Sequence, residues 1–310
     1  MKNKSIKSII IKNEYILSSL DKKIIKILIK NINKSKYKDN YNFKYPSQKY
    51  SLQFILAHIL FIIKYSATWR SLGIHIYNNI YKHYIKLNKI NLFRDTYIKL
   101  LKKYLIKTKN RTLKSLYTDT TFIVNKKGIN EKARNKYMKN KNCNKVSIIT
   151  DNKFIPIDIQ IFKGNFNDSN ILQQQFINID TNMNNTKYFI CDKGYCSSKI
   201  RNILTNKNIV PIIPYNKRNT KDKNKIIKLT KIQKEKYKRR IKIELNKICE
   251  INFTYFLISE KINFYKNLFS SEHIFSHLKS NHKIQNRYEK YINNYEGLLY
   301  LFFIKRICNN

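Results

Sequence analysis

Residues Tyr188–Ser198, YFICDKGYCSS, decide how the chain is read. Tyr188-Phe189-Ile190-Cys191 has the length and apolar content of a buried strand, and it runs directly into a carboxylate, Asp192. Lys193-Gly194 then turns the chain, and Ser197 or Ser198 can start a helix. A strand that hands an acid to a turn is a place to hold a metal ion.

Outward from that stretch the hydrophobic pattern changes twice. Near Leu113 it passes from helical to extended, and five strand candidates follow: Leu116–Val124, Lys145–Thr150, Ile155–Phe162, Lys187–Cys191 and Ile209–Ile213. Asp151-Asn152-Lys153 is a hairpin signal between the second and third. After the third, Asp168 or Ser169 can cap a helix running to about Ile179; Ser198–Lys207 reads as a helix after the fourth. Beyond the basic loop NKRNTKDKNK the chain is helical to its end, with a core helix expected over Tyr295–Ile304. Three strands with a hairpin, then helix, strand, helix, strand and closing helices give an α/β fold. The expectation is an RNase-H-like mixed five-stranded sheet flanked by helices.

The same order supplies Asp192 with a neighbour. Asp119 lies inside the first strand candidate, YTDTTFIV, where a carboxylate among β-formers needs a partner to offset its burial. In an RNase-H-like sheet the first and fourth strands adjoin, so Asp119 and Asp192 are expected side by side. Two such carboxylates repel unless they share a cation, and Mg²⁺ held by carboxylates and phosphate oxygens relieves that repulsion.

Upstream, residues 1–44 read as a Lys- and Asn-rich arm and linker with one helix-like stretch at Ile16–Ile29. Residues 45–112 read as an all-helical region, with Leu52, Ile55, Leu56, Ile59, Leu60 and Ile63 spaced by three and four, and further helices at Gly73–Lys86 and Phe93–Leu105. This region is a candidate DNA-binding module or a helical subdomain packed on the next; Arg70 and Lys82 are its candidate phosphate contacts. Residues 113–310 form the RNase-H-like part.

Composition sets the partner class. Lys and Arg number 63 against 19 Asp and Glu, a net charge of +44, which favours polyanions and nucleic acid first. Part of that excess belongs to a general enrichment in Lys, Asn, Ile and Tyr, such as an AT-rich coding sequence produces. Five cysteines without a CxxC pair argue for a reduced compartment and against a zinc site. The longest apolar run, Leu52–Ile63, has 12 residues, short of the ~20 that a membrane span needs. A soluble intracellular protein without a signal peptide is expected.

Four segments, TDTTFIVNKKG, VSIITDNKFIPIDIQIFKGNFNDSNIL, ICDKGYCSSKIRNILTNKNIVPIIP and HIFSHLKSNHKIQNRYEKYINNYEGLLYL, resemble successive blocks of the DDE transposases of insertion sequences. WRSLGIHIYNNIYKHYIKLNKINLF resembles the helical region ahead of that catalytic domain, so the likeness covers residues 46–305. The resemblance implies a DNA transposase in which three carboxylates bind two Mg²⁺, or Mn²⁺, to cut transposon ends and join them to target DNA as a homodimer. It makes Asp119 and Asp192 the first two acids.

The family's third acid lies in a helical signature: Tyr, two residues, Arg, three residues, Glu, six residues, Lys. Tyr237, Arg240 and Glu244 satisfy its first three positions, but Ile251 stands at the Lys position. Tyr265, Glu272 and Lys279 satisfy the first, third and fourth, but Leu268 stands at the Arg position. An insertion at about 245–272 that separates two halves of one signature accounts for both frames. Glu244 or Glu272 is therefore the third catalytic and metal-binding candidate, with Lys193, Tyr237, Arg240, Tyr265 and Lys279 as DNA contacts. A decayed or domesticated copy that binds DNA without catalysis, and a nuclease without strand transfer, are the alternatives.

Overall fold

A computed structural model describes residues 17–33, 50–179, 185–213 and 274–309. Four helices come first: α1 (Ser19–Ile32), α2 (Leu52–Lys64), α3 (Ile74–Lys89) and α4 (Leu92–Lys107). Their starts follow local chemistry. The Ser18 hydroxyl accepts from the Asp21 amide while the Asp21 carboxylate accepts from the Ser18 amide, a reciprocal cap. Ser51 caps α2 by accepting from the Phe54 amide at 3.2 Å. Between the turn Trp69–Leu72 and α3 the chain passes through Gly73 at φ 90°, a conformation costly for any residue with a Cβ.

Seven strands form one sheet: β1 (Ser115–Asn125), β2 (Ala133–Asn135), β3 (Lys141–Thr150), β4 (Pro156–Lys163), β5 (Tyr188–Cys191), β6 (Val210–Ile212) and β7 (Asn286–Arg287). β3 is antiparallel to both β1 and β4, and β1, β5 and β6 run parallel. The order β4-β3-β1-β5-β6 is the RNase-H-like arrangement expected from the sequence. β2 extends the β3 edge beyond β4, and β7 adds two residues beside the end of β1. The β3–β4 hairpin is locked by Asp151, whose carboxylate accepts from the Lys153 and Ile155 amides at 3.0 and 2.8 Å and from the Tyr104 hydroxyl of α4 at 2.7 Å.

α5 (Asp168–Asn178) and α6 (Ser198–Asn206) follow β4 and β5. α5 is held to the sheet by Gln175, which accepts from Ser147 at 2.6 Å and donates to Asp158 at 2.9 Å. Its start differs from the expectation. Asn167 occupies the cap position and makes no side-chain cap bond, and Asp168 is the first helical residue, its carboxylate turned elsewhere. A helical stretch at 274–280, a single turn α7 (His282–Gln285) and the long α8 (Ile292–Asn309) close the chain.

α8 ties the two ends of the chain together. It packs against α1, α2, α3, α4 and β4, and Leu298, Leu299, Leu301, Phe303 and Ile304 are almost wholly buried. Each such side chain contributes about 1.5–3 kcal/mol on burial. Tyr84 donates to the Asn294 carbonyl, Tyr97 to the Pro156 carbonyl, and Asn88 to the Asn293 carbonyl at 2.7 Å. Glu289 accepts from Trp69 and Tyr81 at 2.9 Å each and pairs with Lys283 at 3.2 Å. The helices ahead of the sheet thus share its core. The helix-like stretch expected at Ile16–Ile29 is α1, Ser19–Ile32, which is docked on the core with Ile24, Leu28 and Ile32 fully buried. Among the described residues no helix is long and apolar enough to cross a membrane.

Candidate active site

The pairing register of β1 and β5 builds the site. Thr118 pairs with Cys191 across the parallel ladder, so the next residue on each strand is an acid: Asp119 and Asp192 occupy adjacent positions. Neighbouring strands are about 4.8 Å apart. β5 ends at Cys191, and Asp192 begins the tight turn Lys193–Tyr195, closed by a 3.1 Å bond from the Tyr195 amide to the Asp192 carbonyl. Asp192 is exposed and Asp119 half-buried, with one Asp119 oxygen accepting from the Thr120 amide at 2.7 Å. Burial pushes the fully enclosed Cys191 thiol well above its usual range; Arg201 opposes this, and Asp119 and Asp192 add to it. That thiol therefore stays neutral behind the two acids.

A third carboxylate reaches the same place from α5. Lys145, near the middle of β3, donates to Asp168 Oδ1 at 2.8 Å and to the Phe166 carbonyl at 2.9 Å, with its ammonium 4.9 Å from the centre of the Phe122 ring. Thr120 donates to the same Asp168 oxygen at 2.8 Å. The other oxygen, Oδ2, faces Gly194, where a Cβ would stand 3.5 Å from Asp168 Oδ2 and 4.0 Å from Asp192 Oδ2. The Tyr195 hydroxyl is buried beside this group and makes no hydrogen bond of normal geometry. Burial raises it well above the usual phenol range, and Asp119 and Asp168 raise it further, Thr120 acting the other way.

The structure places Asp119, on β1, and Asp192, just past the end of β5, at adjacent positions, as the sequence led one to expect. It brings Lys145, Asp168 and Tyr195 beside them, none of which sequence reasoning singled out for the site. Lys145 was hidden among 63 basic residues, yet it is the one charge within CNKVSIIT, where every side chain is buried. Asp168 was read as a helix cap. Of the proposed DNA contacts, Lys193 lies in the turn beside Asp192, and Lys279 is exposed on the 274–280 helix. Arg70 and Lys82 are exposed on the helical region. Tyr237, Arg240, Glu244, Tyr265 and Glu272 lie outside the described residues.

Asp119, on β1, and Asp192, at the turn that ends β5, are hard oxygen donors, a set suited to a small divalent cation that keeps several waters. Among the described residues no group of three His, Cys, Asp or Glu side chains converges closely enough to enclose a metal ion. A cation held by this pair would need further ligands from water, from substrate oxygens or from elsewhere in the chain.

Curated proteins give no match to this sequence. Among solved structures, that of a pre-cleavage Mos1 transpososome is similar over 56% of this chain and 62% of that chain, at 13% identity and a TM-score of 0.25. The chain thus spans less than two thirds of that protein. The family model described as "Transposase DDE domain" matches residues 116–304, from the strand that carries Asp119 to within α8, and the chain belongs to that family.

Proposed function

We propose that the protein is a DNA transposase that hydrolyses phosphodiester bonds at transposon ends and transfers the freed strand to target DNA. The observation that supports this most is the Thr118–Cys191 register, which sets Asp119 beside Asp192 in a member of the transposase DDE domain family. With Mg²⁺, or Mn²⁺, bound by Asp119, Asp192 and Glu244 or Glu272, the site gains charge neutralisation for an in-line displacement at phosphorus. Water and then a DNA 3′-hydroxyl are the successive nucleophiles.

The chain's own residues supply position and charge. β1 holds Asp119 on paired backbone and β5 delivers Asp192 at the first residue past its end, so little reorganisation is needed when substrate arrives. Arg240 clasps a phosphate with two parallel hydrogen bonds, whereas Lys193 and Lys279 act as point charges beside the backbone. Tyr237 or Tyr265 stacks on an unpaired base or bonds a phosphate. The net charge of +44 draws duplex DNA with a steep salt dependence. Two ends must be brought together, so a homodimer working on DNA inside the cell is the assembly proposed.

The split signature favours one second reading, a copy that retains DNA binding and has lost catalysis. Incubating the protein with a duplex carrying the element's terminal repeats and Mg²⁺ separates the two. Nicked and joined products that disappear in Asp119→Ala and Asp192→Ala support the transposase. DNA binding with no metal-dependent product supports the decayed copy, and cleavage without joined product supports a nuclease.

A further inference from the structure

We infer that Asp168 is a positioning residue of the active site, holding the hydration layer of a cation bound at Asp192 through the gap above Gly194. The inference rests on the proposed metal-dependent reading and adds a residue to it. Three observations carry it. First, Asp168 is fixed from behind: Lys145, itself buried, and Thr120 both donate to Oδ1 at 2.8 Å, which fixes the carboxylate's orientation and leaves Oδ2 as the acceptor that faces the site. Secondly, the residue between Asp168 Oδ2 and Asp192 Oδ2 is glycine, and a methyl group there would touch both oxygens at 3.5 and 4.0 Å. Those are ordinary contact distances, so a larger side chain fits the fold and still fills the space. Thirdly, Tyr195 is 2% exposed, its hydroxyl makes no hydrogen bond of normal geometry, and it lies close enough to Asp119 and Asp168 to feel both charges.

The chemistry follows from the gap at Gly194, across which Asp168 Oδ2 and Asp192 Oδ2 stand on either side of the space a Cβ would fill. Thr120 faces α5, as its bond to Asp168 requires, and successive strand residues point to opposite faces, so Asp119 points away from α5. Asp168 therefore meets the pair from its α5 side, nearest Asp192. A carboxylate oxygen one water away from a bound cation accepts that water's proton in a hydrogen bond, and fixes both the water and the ligand beside it. The ammonium of Lys145 balances the added negative charge, so Asp168 orients the site without increasing the repulsion between Asp119 and Asp192.

The test is Mn²⁺ titration of the full chain, with free Mn²⁺ read by electron paramagnetic resonance and folding by thermal melting. Wild type, Asp192→Asn, Asp168→Asn, Gly194→Ala and Glu131→Gln are compared; the last removes an exposed carboxylate in the loop between β1 and β2 and controls for charge alone. Asp168→Asn and Gly194→Ala are each expected to weaken Mn²⁺ binding by roughly 10- to 100-fold, with Gly194→Ala melting like wild type and Glu131→Gln binding like wild type. Gly194→Ala leaves every charge in place, so it tests the inference even if Asp168→Asn folds poorly. If Asp192→Asn abolishes binding while Asp168→Asn and Gly194→Ala bind as wild type does, the inference is overturned and the metal-dependent reading survives. If Asp192→Asn itself binds as wild type does, the metal-dependent reading fails and this inference with it.

Discussion

Replacing Arg287 with methionine should destabilise the packing of the closing part of the chain on the sheet by several kcal/mol, at about 1–3 kcal/mol for each buried acceptor left without a donor. Arg287 is fully buried on β7 and makes five hydrogen bonds, all to neutral oxygens: the carbonyls of Asn130, Glu289 and Lys290 at 2.8, 3.1 and 3.1 Å, the Asn144 side chain at 3.1 Å and the Asn130 side chain. At about 1.5–3 kcal/mol for each bond from a charged donor, the gross contribution is roughly 7–15 kcal/mol. Returning the guanidinium to water recovers several kcal/mol of that. Burial also pushes the Arg287 pKa down, which marks the same desolvation. Methionine keeps the length and removes a donor from each oxygen, although the Lys290 carbonyl retains the Ile129 amide and Asn130 Oδ1 the Ile292 amide, each at 3.0 Å. Gly128 supplies a check on the mechanism, because a Cβ there would stand 2.5 Å from Arg287 Cζ and 2.6 Å from Nε. Gly128→Ala should therefore cost about 1–3 kcal/mol by overpacking, and less once Arg287 is methionine, when only the 2.7 Å approach to Asn125 Oδ1 remains of the three. Urea denaturation followed through the sole tryptophan, Trp69, measures all four corners of that cycle. An Arg287→Met midpoint equal to wild type, or strict additivity with Gly128→Ala, would refute the reasoning.

Glu289→Ala should cost about 3–5 kcal/mol, because it strands the buried Lys283 ammonium and removes the acceptor of Trp69 and Tyr81; an unchanged melting temperature would show that the trio is not coupled. The Glu296 carboxyl is raised from 4.5 chiefly by burial, against the pull of Arg94, so its contribution is full below 4.5 and is lost as pH rises through the folded value. Glu296→Gln should therefore gain stability relative to wild type as pH climbs from 4.5, and a flat difference in melting temperature would contradict this. Asp21 runs the other way: burial raises it, but Lys64 and Ser18 outweigh burial and hold it below 3.8. Its contribution is present above 3.8 and lost as pH falls through the lower folded value, so Asp21→Asn should destabilise at neutral pH and converge with wild type in strong acid.

Much of the sheet was legible because its strands are buried runs bounded by turn residues, and because acids are scarce enough that Asp119 and Asp192 stood out. β2 and β7 were not legible: three and two residues carry no period, and both exist only because a longer strand offers them an edge. The docking of α1 was hidden by its flanking lysines, although Ile24, Leu28 and Ile32 hold a helical spacing. Asp168 was misread for a physical reason. An acid at a helix start satisfies capping rules, and only the packing of α5 against β3 turns its carboxylate to Lys145 and Thr120. The choice between Glu244 and Glu272 was open in the sequence, since each keeps part of one signature.

The central claim, that Asp119 and Asp192 together bind the cation for DNA strand cleavage, is tested most directly by one assay. A terminal-repeat duplex is incubated with Mg²⁺ and wild-type, Asp119→Ala or Asp192→Ala protein, all three shown to be folded. Cleavage by wild type and its loss, by on the order of 10³-fold or more, in both variants is the predicted result. Wild-type rates in either variant would contradict the claim.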